Sequence, residues 1–169
     1  KAVIYLLSFG LFFFFFIDSE AQTPNIKKSS GRLTEKVEKA SKNIVRRNSN
    51  GFRVPTAGQL KAWQFIVESI FKNRLDDAQQ MIKQVSFPYE ISLFTDKDSK
   101  REYVLLEEEI PLQAGWGFYV FDLQTKNDLV LEIPHPVVDG NTEFQGIDAF
   151  LQTGARAFLL AGAHRRANT

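Results

Sequence analysis

The sequence predicts an α/β protein built on a mixed sheet, and three observations predict it. Residues 52–86 carry apolar side chains at helical spacing. Residues 89–134 switch to a period of two. Residues 142–162 return to a helical pattern and then run continuously apolar, so the chain closes on a parallel β-α-β unit.

Taken in order, "KAVIYLLSFGLFFFFFIDSEAQ" opens with one basic residue and an apolar run from Ala2 to Ile17. As a helix that run spans about 24 Å, short of the roughly 30 Å bilayer core. Ser19 and Ala21 supply the small residues of a signal-peptidase site. Residues 1–21 are therefore expected to be a signal peptide cleaved after Ala21, which makes the protein secreted or periplasmic. The alternative is an uncleaved membrane anchor. Any membrane contact is expected through this segment alone.

Residues 22–51 are polar and basic, with sparse apolar positions and no clear period. They read as a linker, with at most a weak helix over 33–46. The run "KNIVRR" reads as a solvated face. Next, Leu60, Trp63, Val67, Ile70 and Phe71 recur at helical spacing behind Thr56, a good N-cap residue. A second helix follows, starting near Asn73 or Asp76 with Ala78, Met81, Ile82 and Val85 inward, so 52–86 forms a helical hairpin. Its aromatic stripe reads as core rather than as a ligand platform.

The strands are "YEISLFT" (89–95), "REYVLLEEE" (101–109), "WGFYVFDL" (116–123) and "DLVLEIP" (128–134). Glu107, Glu108 and Glu109 could suggest a cation site, and they also suit a solvated strand end. A helix over residues 142–153 has Phe144, Ile147, Phe150 and Leu151 inward, Thr142 as N-cap and Gly154 as its stop. "ARAFLLAG" (155–162) reads as a strand buried on both faces.

Composition narrows the function. Hydrophobic residues make up 44% and charged residues 24%, which suits a globular chain, and a net charge of +1 gives no field for nucleic acid. There is no cysteine, so disulfides, thiolate catalysis and cysteine-bound zinc are excluded. The chain begins with Lys and "AGAHRRANT" brings no closing element, so it is expected to be part of a larger domain. Nothing in it indicates an oligomeric state.

The chain has two histidines, and both follow strands of the parallel unit: His135 in "EIPHPVVDGNTE" and His164 in "AGAHRRANT". Ligands gather beyond the carboxyl ends of parallel strands. Two imidazoles there, with a carboxylate, make a candidate zinc site. Asp139 is the preferred third ligand, and Glu143, at the start of the helix, is the alternative. Loop histidines, a turn-forming "DG", and a metal-free acid–base pair remain open readings. Arg165, Arg166 and Asn168 stand beside His164, and arginine grips carboxylates in a bidentate manner.

These residues carry a resemblance. "PHP" after a strand, then an acid, a helix, "TGARAFLLAG" and "AHRRAN" look like a group of secreted bacterial proteins. More distantly, residues 128–168 resemble N-formylglutamate amidohydrolases and zinc-carboxypeptidase-like hydrolases. Pro136 and Val137 stand where the amidohydrolases continue with Ser-Gly, and Val138 where the carboxypeptidases place their acid. The resemblance implies that 87–169 is the N-terminal part of an α/β hydrolase-like domain, with His135 as first zinc ligand and Arg165, Arg166 and Asn168 as substrate-gripping residues. The expected function is zinc-dependent hydrolysis of amide bonds in small carboxylate-bearing or peptide-like substrates, with residues 1–169 inactive by themselves. The alternative is a non-catalytic exported binding or cell-envelope module with an incomplete metal site.

Overall fold

The computed structural model describes residues 26–168, so the expected signal peptide and its expected cleavage site lie outside the described residues. The period-two stretch forms the middle of a six-stranded mixed sheet. The elements are β1 (Lys27–Gly31), α1 (Leu33–Lys42), α2 (Ala57–Phe71), α3 (Leu75–Gln84), β2 (Tyr89–Asp96), β3 (Glu102–Glu108), β4 (Phe118–Phe121), β5 (Val130–Ile133), α4 (Thr142–Thr153) and β6 (Ala157–Leu160). The strand order is β1-β2-β3-β4-β6-β5. β1 runs parallel to β2 and β5 parallel to β6, while the three central pairings are antiparallel.

Helices cover both faces. Leu33 and Val37 of α1 and Ile147 and Phe150 of α4 pack on Phe94, Tyr103, Leu105, Val120 and Phe158. On the other face Ala62, Ile66 and Ile70 of α2 and Ala78 and Ile82 of α3 pack on Tyr89, Ile91, Val104, Leu106 and Phe121. β3 is buried on both faces, so its four central residues Tyr103–Leu106 are all apolar or aromatic rather than alternating with polar ones. α2 starts as expected, with a reciprocal capping box between Thr56 and Gln59. α4 stops at Gly154 in the left-handed region, φ 61°. Its N-cap is Asn141 rather than Thr142, and α3 begins at Leu75, between Asn73 and Asp76 as expected.

The stretch read as a linker is part of the fold. β1, "KKSSG", forms a mostly exposed edge strand, and α1 buries Leu33 and Val37 completely. Asp96 explains how so polar a segment is fixed. Arg32 gives α1 no side-chain cap. The Leu33 N–H donates instead to Asp96 Oδ1 at 2.8 Å, across from the end of the neighbouring strand. Asp96 Oδ2 accepts from the Ser99 N–H and hydroxyl, both at 2.7 Å. One buried carboxylate thus caps a helix and closes the β2–β3 turn. Burial works to raise its pKa. The N–H groups of Ser99, Leu33 and Asp98 and the Ser99 hydroxyl outweigh that and hold it below the usual carboxylate range.

Beyond α1, the chain lies along the end of β6. The Val45 N–H donates to Gly162 O and the His164 N–H to Val45 O, each at 2.8 Å. The Asn48 N–H reaches Arg166 O and the Asn50 N–H reaches Ala167 O. This strap needs glycine beneath it. A Cβ on Gly162 would stand 2.3 Å from the Gly117 nitrogen and 2.8 Å from the Gly115 carbonyl carbon.

Two outcomes follow. Asp96→Asn lowers stability at neutral pH. A depressed carboxyl contributes stability above its unfolded pKa, about 3.9, and loses it as pH falls through the lower folded value. The variant should therefore lose less stability than the parent as pH drops below about 4, read from urea midpoints across that range. Gly162→Ala forces backbone apart and should cost about 3 kcal/mol in the same assay.

Candidate functional site

The antiparallel pairings of β4 with β3 and with β6 bring the carboxyl ends of β3, β5 and β6 to one end of the sheet. Both histidine loops are there. Asp139 and Arg165 join them, with the carboxylate Oδ1 3.9 Å from the guanidinium Nη1. The two histidine loops are neighbours because β5 and β6 pair in parallel.

The loop between β5 and α4 is tightly folded. Val137, Gly140 and Asn141 all have positive φ (69°, 58° and 61°). For a β-branched residue such as Val137 that conformation is strained, and such strain gathers at functional segments. Glu143 stabilises it. This carboxylate is buried at 5% exposure, and Oε2 accepts the Val137 N–H at 3.3 Å. The Asp139 N–H donates to His135 O. Two polar atoms of the same loop, His135 Nδ1 and Thr142 Oγ1, are buried without a hydrogen-bond partner. A buried unsatisfied imidazole nitrogen calls for a physical explanation, and a ligand is one.

His164 differs. Its Nδ1 accepts the Arg166 N–H at 2.9 Å. In neutral imidazole the proton then sits on Nε2, so neither nitrogen offers a free lone pair. Asn168 is also engaged structurally: Nδ2 donates to Phe52 O at 2.6 Å and Oδ1 accepts the Phe52 N–H at 3.2 Å. Arg166 is fixed by its backbone N–H and carbonyl. Within the run "HRRAN", the Arg165 side chain reaches across to the His135 loop by a direct ion pair. Among the described residues, no three His, Asp or Glu side chains converge where a metal ion could sit.

Two features escaped the sequence reading. Glu108 is not a solvated strand end. It is 8% exposed, and its two oxygens accept the backbone N–H groups of Gln113, Ala114, Gly115 and Trp116. Glu107 pairs with Lys36 at 2.9 Å, and Glu109 is exposed. Beside Glu108 the Tyr89 hydroxyl donates to Gly117 O, and burial first, then the neighbouring Tyr119 and Glu108, pushes the Tyr89 phenol far up. Burial and then Glu108 and Glu132 do the same for Tyr119. The clustering of three acids was visible, but nothing in the pattern marked the middle one as buried.

The second feature is a cleft on the α2 face, about 520 Å³ with its open mouth, floored by Trp63, Trp116 and Tyr119 and walled by Phe52, Pro55 and Leu60. Trp63 packs on four aromatic rings at 4.9–6.0 Å, as a core residue should. Leu60, expected inside, is 55% exposed at the rim. A further cleft of about 570 Å³ lies between α1 and the ends of β3 and β6, lined in part by Lys36, Lys39, Glu107, Gly117 and Gly162. Neither histidine lines either cleft.

Compared with known proteins, the chain matches no family model, no curated protein and no solved structure.

The Asp139–Arg165 pair is half-exposed on both sides and long. A double-mutant cycle with Asp139→Ala and Arg165→Ala should give a coupling below about 1 kcal/mol, falling further in high salt.

Proposed function

We propose that the loops beyond β5 and β6 belong to an exported zinc-dependent hydrolase of amide bonds in small carboxylate-bearing or peptide-like substrates. One observation carries this reading: His135, at the carboxyl end of a parallel strand, keeps a buried Nδ1 with no partner in a strained loop that holds Asp139 and leads directly into Glu143 in the first turn of α4. A neutral imidazole with a free lone pair is what zinc takes. Bound zinc would supply a Lewis acid and a water titrating near neutrality.

The donor set fits in part. His135 fits through Nδ1. Asp139 and Glu143 are the carboxylates on the same loop, Glu143 held by a single long bond to Val137 and Asp139 by a long ion pair. His164 does not fit, because its Nδ1 is taken by the Arg166 N–H. Its role in this reading is to hold residues 164–166 so that Arg165 faces the His135 loop. Arg165 is then the residue placed to bind a substrate carboxylate, exchanging Asp139 for it. Export rests on the segment 1–21. No helix among the described residues is long and apolar enough to cross a membrane.

A second reading is a non-catalytic exported binding module. The absence of three converging metal-ligating side chains among the described residues favours it.

Metal analysis separates the two. The full chain purified with zinc should retain it after desalting, His135→Ala should lose it, and His164→Ala should keep it. Zinc absent from the folded parent, or unchanged in His135→Ala, would refute the hydrolase reading and leave the binding module.

A further inference from the structure

We propose that the surface formed by residues 44–61 docks on an anionic lipid bilayer. From Lys39 to Val67 the chain has six basic residues (Lys39, Lys42, Arg46, Arg47, Arg53, Lys61) and no Asp or Glu. Elsewhere acids interleave with bases, which is why the net charge of the whole chain conceals this. Lys42 pairs with Glu38 within α1. Arg46, Arg47, Arg53 and Lys61 are exposed, and none has an ion-pair partner among the described residues.

Bare apolar groups accompany the bare cations. Val54 is 76% exposed, Leu60 55% and Phe65 39%. Val54 lies between Arg53 and the cleft wall at Pro55, and Leu60 is part of that wall. The arrangement is rigid: the Arg53 N–H donates to Ala114 O, the Trp116 indole N–H donates to Arg53 O at 2.6 Å, and Asn168 holds Phe52. The backbone at Phe52 and Arg53 is thus bolted to the β3–β4 loop and to the turn after β6, and the exposure of Arg53 and Val54 is not that of a loose loop.

Each class of occupant would use these groups differently. A soluble polyanion would engage the cations and leave Val54 and Leu60 in water. A small apolar ligand would fill the cleft and leave the four cations unused. An anionic bilayer uses both, taking aliphatic and indole groups into the headgroup boundary while arginine and lysine meet lipid phosphate. Charge complementarity and the adjacency of Arg53 to Val54 and of Lys61 to Leu60 therefore point to lipid.

The two tryptophans of the chain, Trp63 and Trp116, both line the cleft that Leu60 and Pro55 of this surface border, and residues 1–25 contain none. Tryptophan quenching by bromine-labelled lipid thus reports on this face and not on the apolar N-terminal run. With full-length protein, vesicles of brominated phosphatidylcholine containing phosphatidylglycerol should quench the fluorescence, and salt should reverse it. Neutral vesicles should quench far less. Replacing Arg46, Arg47 and Arg53 together by Gln should lower the partition coefficient roughly tenfold or more. Val54→Ser with Leu60→Ser should remove the quenching while the far-ultraviolet circular dichroism stays unchanged, since both side chains are exposed. Equal quenching by neutral and anionic vesicles, full binding by the arginine triple variant, or binding to soluble polyphosphate without bilayer quenching would each overturn the proposal.

Discussion

The carboxylate of Glu108 organises this end of the molecule. Four consecutive backbone N–H groups, from Gln113 to Trp116, point at one buried anion. Hydrogen bonds to an ionised acceptor are about twice as strong as neutral ones, and four of them compensate for much of the cost of burying the charge. The result is a loop whose backbone is fixed without secondary structure of its own. Everything nearby takes its position from that loop. Trp116 forms part of the aromatic cleft floor, Gly115 and Gly117 make the bed on which Gly162 and Val45 lie, and the strap in turn orients His164 and Asn168. A single side chain at the end of β3 thereby links the centre of the sheet to both histidine-side features and to the proposed membrane face.

Asp96 plays the corresponding part at the opposite end of the sheet, where β2 finishes and α1 begins. The two carboxylates solve the same problem. Polar connecting segments have backbone donors that water would otherwise satisfy, and a buried acid placed at a strand end gathers them in. A neighbouring acid, Asp122, is 2% exposed and pairs with Arg101 at 2.6 Å while accepting the Gln124 N–H. The chain therefore buries acids at strand termini as anchors, and its exposed carboxylates carry less structural weight.

Much of the fold was legible because it is written in local periodicity. The hairpin 57–84, the strands 89–121 and the closing parallel unit repeat apolar residues at the spacing their geometry requires, and Thr56 and Gly154 mark helix limits by their own chemistry. β1 was not legible, and α1 showed only as a weak helix over 33–46 that competed with a linker. "KKSSG" becomes a strand only because β2 offers it a partner some sixty residues away, and α1 turns to the core just two large apolar side chains, Leu33 and Val37, with the small Ala40 and Ser41 beside them. Their cap is supplied from Asp96, a residue that no local motif could nominate. The site was legible in outline for a similar reason. Strand-end position put His135, His164, Asp139 and Arg165 in adjacent loops. Which of them is free and which is engaged depends on hydrogen bonds such as that from the Arg166 N–H to His164 Nδ1, and spacing alone does not encode these.

The strap has a consequence for how the chain reaches this structure. Phe52 is tied to Asn168 across 116 residues, and Val45 is bridged to Ala163 over a similar span. Closing loops of that size is slow, because a large entropy loss precedes any contact that offsets it. The N-terminal third therefore has the acceptor that caps α1 only after β2 exists, and its final seat only after β6 and the turn beyond it are in place. While the chain is emerging from a ribosome, residues 26–55 have nothing to fold against. This topology delays completion of the fold until β6 and the turn after it have formed.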